Sequence, residues 1–176
     1  MNIALVGGLA ILFAVVHMAN GWVFQSFEIS PHVGLVYLPA FLRLFNVLIL
    51  GVVKGSLATL IGGVLLLVHF NDEPVAGVLN VLCSLSGPLL ALGLFRLVFK
   101  RPVQLGALRD LVILAALSCL FNSSLHHVVW TWIDPAQVST PWQWLWMGLG
   151  DFAGCIIGVG LMKWSIDRFG LPSKAA

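Results

Sequence analysis

Residues 34–53 read GLVYLPAFLRLFNVLILGVV, a run of membrane length interrupted by a single charge, Arg43. A bilayer needs roughly 20 consecutive apolar residues from a crossing helix. An ionisable side chain inside hydrocarbon is costly, and by default it marks a site with a partner to be found. A second such residue, Asp151, stands in the last apolar run, about as far from its outer end as Arg43 is from its own. The reading of these two runs decides both the fold class and the place to look for a site.

Outward from them the chain keeps the same character. Of its 176 residues 60% are hydrophobic and 9% charged, with mean hydropathy +1.02. That leaves too little polar surface for a water-soluble domain, so the chain reads as an all-α, polytopic membrane protein in one domain, residues 1–176. Six apolar segments are expected, at about 3–25, 34–53, 55–70, 75–98, 108–130 and 142–166. The third is short and carries Gly62 and Gly63, which predict a helix that is little tilted or partly broken. The turn before it falls around Lys54 and Gly55. Ser30 to His32, Asn71 to Pro74, Lys100 to Gly106 and Asp134 to Pro141 mark the other loops. The stretch from Met1 to Val16 has no Lys or Arg ahead of it. It lacks the basic start of a cleaved signal peptide and is expected to stay as the first helix.

Charge gives the orientation. Lys54, Arg96, Lys100, Arg101, Arg109, Lys163, Arg168 and Lys174 fall on one side if there are six spans; Glu28, Asp72, Glu73 and Asp134 fall on the other. The positive-inside rule makes the basic side cytoplasmic, with both termini inside a bacterial-type inner membrane. The tryptophans Trp22, Trp130, Trp132, Trp142, Trp144 and Trp146 then gather at the outer interface, as a headgroup belt or as a stacking wall for a ligand.

With that topology the polar residues collect in the outer half. His17 and Asn20, Arg43 and Asn46, Asn80 and Ser84, and Asn122 and His126 are spaced by one helical turn, so each pair shares a helix face. Together with Asp151 they predict an outward-facing pocket, because polar groups in lipid must face one another. The alternatives for Arg43 and Asp151 are a purely architectural ion pair, a pair that also orders a ligand site, and a proton- or ion-translocating pair. Pro39 and Gly87-Pro88 predict kinks that free backbone groups beside the pocket.

Other chemistry has less to stand on. Cys83, Cys119 and Cys155 are dispersed in apolar runs and read as small hydrophobes, not as a disulfide framework. Five histidines, His17, His32, His69, His126 and His127, show no metal-binding spacing. No metal is predicted, and His17 with His126 is the one pair that could be named as ligands. Ser123 and Ser124 beside His126 and His127 are neighbours along a helix, which is not a catalytic triad. No phosphate loop and no basic face for nucleic acid is present, so neither an enzyme nor a nucleic-acid binder is expected. The cofactor, if any, is left open.

Two families resemble the chain. Tyr37-Leu38-Pro39-Ala40 followed by Arg43, and Trp142 to Trp146 followed by Gly150-Asp151-Phe152-Ala153-Gly154, resemble the Pro-containing opening and the Trp-rich W-x-G-D-x-x-G segment of the MASE1 integral membrane sensory domain. The resemblance implies a membrane sensor that perceives a signal and passes it to a cytoplasmic output, with Asp151 as the best carried-over position. Such domains usually have more spans and precede a kinase or cyclase, and Phe41 stands where they usually have Gly. This chain ends at Ala176, so a protein partner is expected to carry the output, with a small molecule as the candidate ligand. The chain is also similar in size and span number to the substrate-binding component of energy-coupling-factor vitamin transporters. Those proteins couple through small residues on the first helix, a role that Ala4-Gly8 or Ala10-Ala14 could fill. An accessory subunit of a larger membrane complex is the third reading.

Overall fold

A computed structural model describes residues 3–30, 33–70, 73–133, 135, 138, 140 and 142–169. His32, Asp72, Asp134 and Lys174 lie outside the described residues. The element order is α1 (Ile3–Val23), a 3-10 turn (Gln25–Phe27), β1 (Glu28–Ser30), β2 (Val33–Gly34), α2 (Pro39–Phe70), α3 (Pro74–Phe99), α4 (Leu108–Ile133) and α5 (Gln143–Phe169). All five α-helices are long and apolar enough to cross a membrane. A helix satisfies its backbone internally, which is why uninterrupted apolar sequence takes this form. The all-α expectation gains one small addition, an antiparallel pair of strands in which Glu28 faces Gly34 and Ser30 faces Val33.

Where the sequence predicts two segments, 34–53 and 55–70, the structure has the single element α2, doubled back on itself. Gly51 has φ 78° and ψ 169°, backbone essentially restricted to glycine. Asn46 Nδ2 donates to Thr59 Oγ1 at 3.3 Å although 13 residues separate them. Both ends of the element also reach the same ring. The His17 ring centroid is 5.6 Å from that of Tyr37, just before α2, and 6.0 Å from that of Phe70, its last residue. A straight helix of 32 residues would hold those ends about 48 Å apart. The turn predicted at Lys54 and Gly55 is therefore at Gly51. Gly55 already belongs to the second arm, pressed so closely on the Asn46 and Val47 backbone that no Cβ fits.

Three further expectations change. Helix does not begin at residue 34: residues 35–38 lack regular structure, and α2 opens at Pro39. Pro39 is thus not a mid-helix kink, because at the first helical position its missing N–H costs nothing. Gly87-Pro88 lies inside α3, which is helical on both sides of it. Gly62 and Gly63 do not break the second arm but let neighbours approach. A Cβ on Gly62 would meet the Ala10 carbonyl oxygen at 2.7 Å, and one on Gly63 would meet Val81 at 2.8 Å.

The main core joins the first arm of α2 to α3, α4 and α5 through Leu44, Val47, Phe95, Leu114 and Cys155. A smaller cluster of Phe13, Ala14, Leu42 and Leu66 fastens α1 to α2. α3 starts on Glu73, whose Oε2 accepts from the Ala76 N–H at 2.7 Å, with Pro74 at the first position. It ends at Lys100 in the left-handed conformation.

Candidate functional site

Arg43 lies on the first arm of α2, where helix geometry turns it toward three other helices. Its Nη1 donates to Ser84 Oγ on α3 at 3.1 Å and to Asn122 Oδ1 on α4 at 2.8 Å. Its Nη2 donates to Asp151 Oδ2 on α5 at 3.1 Å. Asn122 Nδ2 donates to that same oxygen at 2.6 Å. Arg43 and Asp151 keep only 3% and 2% of their side-chain surface exposed. Leaving either charge alone at such burial would be expensive, so four helices are tied at this point. The two hydrogen bonds accepted by Asp151 both end on Oδ2. Oδ1 has no hydrogen-bond partner among the described residues.

The non-helical lead-in to α2 runs above Arg43 and is held from two sides. Asn20 on α1 accepts from the Leu38 N–H at 2.8 Å and donates to the Val36 carbonyl at 3.2 Å. The Tyr37 N–H donates to the Gly150 carbonyl on α5 at 3.0 Å. Unwound backbone is tolerated beside lipid only when it is satisfied in this way. The sequence of α5 makes room for it. Gly150, Gly154 and Gly158 recur every fourth residue along one face; a Cβ on them would collide with Gly34, Tyr37 and Phe41 respectively. The chain from Gly34 to Phe41 thus lies in a glycine channel along α5. Tyr37, the chain's one tyrosine, spreads its ring 5.1 Å from the Arg43 guanidinium carbon and shares a 2.8 Å hydrogen bond with His17 Nδ1.

These groups border a cavity of about 580 Å³, within the usual range for small-molecule sites. Its wall is drawn from every helix and from the 24–38 connection. Of the residues predicted for the pocket, Arg43, Asp151, His17, Asn20, Asn80 and His126 line it. Asn122 stands behind the wall as the bridge between Arg43 and Asp151. Asn46 is turned away into the α2 hairpin, where it is fully buried and its Oδ1 has no partner among the described residues. No group of three or more metal-ligating side chains exists among the described residues. His126 Nδ1 lies 2.9 Å from the Asn122 carbonyl; a carbonyl only accepts, so Nδ1 carries the hydrogen.

Several participants were not legible as such in the sequence. Trp130, read there as part of the interfacial belt, is buried and donates from Nε1 to Asn80 Oδ1 at 2.8 Å. Trp22, Trp132 and Trp142 are exposed, as a belt requires. Ser84 shares a face with Asn80 but only the structure joins it to Arg43. At the other end of the bundle, Asp110 in the first turn of α4 is buried and takes a two-pronged ion pair from Arg101, at 2.5 and 2.7 Å, plus the Gln104 N–H at 3.1 Å. Hydrogen bonding to Asp110 raises the pKa of Arg101 above its already high ordinary value. A spacing of nine residues across a loop carries no periodic signal, which is why this clamp is invisible in the sequence. Cys119 and Cys155 touch, Sγ to Sγ 3.8 Å, as free buried thiols. Ser123 Oγ donates to the Leu120 carbonyl, a helix-internal bond with no catalytic geometry.

Comparison of the chain with protein-family models, with curated proteins and with solved structures gives no match, so the reading of this site rests on its own chemistry.

Proposed function

We propose that the chain is a six-span inner-membrane protein that holds a small molecule in an outward-facing pocket and passes its occupancy to a partner protein. The observation that carries this reading is the cavity between Arg43, Asp151 and the unwound lead-in at Tyr37. Its lining mixes aromatic and polar groups from all the helices, so a ligand there would touch every element at once. Discontinuous helices whose broken backbone borders a cavity are a recurrent way of building ligand sites in membranes. The first arm of α2, residues 39–50, would be about 18 Å long and too short to cross alone. Together with the non-helical residues 33–38 it has the reach to do so. Counting the two arms separately gives six crossings and places the Arg96 to Arg109 region on the cytoplasmic side with both termini. The resemblance to the MASE1 sensory domain supplies the direction of signalling, from an outer pocket to a cytoplasmic partner.

One observation favours the transport reading instead. Of the two small-residue pairs on α1, Ala10 and Ala14 are buried within the bundle, while Ala4 and Gly8 are exposed, with open space at the Cβ position of Gly8. That face could meet a second membrane protein, as the substrate-binding component of a vitamin transporter does.

Native mass spectrometry of the protein taken gently from its own membrane tests the proposal. A retained small molecule is expected under either reading. Co-purification with a signalling protein supports the sensor, and with an ATPase-linked membrane subunit the transporter. A bare chain held in fixed stoichiometry to a large complex would overturn both in favour of an accessory subunit.

A further inference from the structure

We propose that Cys119 and Cys155 form a redox-sensitive staple between α4 and α5, a dithiol that a quinone dissolved in the membrane closes to a disulfide. Such a staple would operate whether or not the larger cavity holds a ligand. The two thiols are free and buried, and their sulfurs lie 3.8 Å apart although they stand 36 positions apart in the chain. A disulfide needs about 2.05 Å between its sulfurs and Cα atoms within about 7 Å of each other. The sulfurs must therefore close by about 1.8 Å, which rotation about the Cα–Cβ bonds covers where two helices run close together. Along this seam they do. Asn122, one turn from Cys119, donates to Asp151, one turn from Cys155, at 2.6 Å. Beyond them a Cβ on Gly148 would meet Ser123 Oγ at 3.1 Å. The thiol contact is thus one rung of a ladder that α4 and α5 share. The third cysteine, Cys83 on α3, makes no thiol contact among the described residues.

A buried thiol reacts only where an oxidant can reach it. Cys119 borders a second cavity, of about 240 Å³, between α4 and α5, together with Leu120, Trp144, Leu149 and Phe152. Leu120 and Leu149 are each 47% exposed, so the cavity opens on the outside of the bundle. No charged side chain borders it among the described residues. Both helices are long and apolar enough to cross a membrane, so the opening meets hydrocarbon, which admits polar oxidants poorly. A quinone is a two-electron oxidant soluble in that phase. Both S–H bonds break and the S–S bond forms, while the two electrons and two protons pass to the quinone oxygens and leave a quinol. The closed staple would lie one turn from the Asn122–Asp151 contact and fasten the α4–α5 side of the Arg43 ring.

The test uses the intact protein in lipid nanodiscs, fully reduced and then exposed without oxygen to duroquinone, whose fully substituted ring leaves no open position for thiol addition. Trapping with N-ethylmaleimide in denaturant and peptide mass mapping then count the thiols. Cys119 and Cys155 are expected to disappear together into one linked peptide, Cys83 to stay free, and dithiothreitol to restore both. Oxidised glutathione, confined to water, should act at least tenfold more slowly. Cys119→Ala and Cys155→Ala should each abolish closure, and Cys83→Ala should leave it unchanged. The linked peptide from the wild type decides the matter even if a variant fails to fold. Survival of all three thiols in duroquinone, or a link through Cys83, overturns the staple. Closure by oxidised glutathione as fast as by duroquinone overturns the assignment of a membrane quinone as its oxidant.

Discussion

Asn122 holds Asp151 at 2.6 Å, a shorter contact than the 3.1 Å ion pair that Arg43 makes with the same oxygen. Its Oδ1 meanwhile accepts from Arg43 at 2.8 Å. The amide therefore closes a ring of three side chains, donating to the anion and accepting from the cation. Hydrogen bonds to buried charges are worth more than neutral ones, so Asn122→Ala should destabilise the protein by about 1.5–3 kcal/mol. Reversible unfolding in mixed micelles would measure it. A loss below about 0.5 kcal/mol would mean that water replaces the amide and that the ring is not closed in solution.

Arg43→Ala or Asp151→Ala alone should cost about 3–5 kcal/mol, because each leaves an uncompensated buried charge. The double variant should recover part of that loss. Contact between the two residues predicts non-additivity, and the double-mutant cycle reads it directly. Additive losses would show that each charge is stabilised elsewhere, by Ser84 or Asn122 alone.

At Gly51 the chain reverses with a φ of 78°, which a side chain tolerates poorly. Gly51→Ala should lower stability by about 1–3 kcal/mol. The neighbouring Gly55, which presses on the Asn46 and Val47 backbone, should be less tolerant still, since a Cβ there collides with main chain that cannot give. Thermal unfolding of the two variants side by side would check the order. Wild-type behaviour of both would mean that the hairpin is not the native arrangement of α2.

Under the six-span proposal the turn of the same hairpin lies on the cytoplasmic side. A cysteine placed at Lys54 or Lys100, in a chain freed of native thiols, should be protected from an impermeant reagent added outside. One at Trp132, exposed at the opposite end, should react. Labelling of Lys54→Cys from outside would overturn the proposed topology.

The sequence carries the existence of the helices in its long apolar runs, and the height of the polar side chains in their spacing. Arg43, Asp151, His17, Asn80 and His126 meet around one cavity because residues a helical turn apart share a face and lipid forces such faces inward. What the pattern could not supply is contact between elements remote in the chain. Asn46 shares the face of Arg43 by count, yet the reversal at Gly51 diverts it to Thr59. Trp130 has the composition of an interfacial residue and is drawn inward by Asn80. Residues 35–38 are as apolar as a helix requires. They stay out of the helix because Asn20 and the Gly150 carbonyl satisfy their backbone, a choice made by two partners far away in sequence.

That non-helical lead-in is also where occupancy of the cavity has a route to the rest of the bundle. Tyr37 touches His17 with its hydroxyl and faces Arg43 with its ring, while its main chain rests against Gly154, where no Cβ fits. Gly154→Val should push the lead-in off α5, displace Tyr37 from above Arg43, and weaken binding of whatever ligand the wild type retains by tenfold or more. The helices themselves should remain, because Leu44, Phe95 and Leu114 are not among the nearest neighbours of a Cβ at Gly154, although Tyr37 packs against their core. Circular dichroism and ligand retention measured on the same sample separate the two effects. Unchanged retention in a folded Gly154→Val protein would show that the lead-in is a passive strap and that the ligand is held by the helices alone.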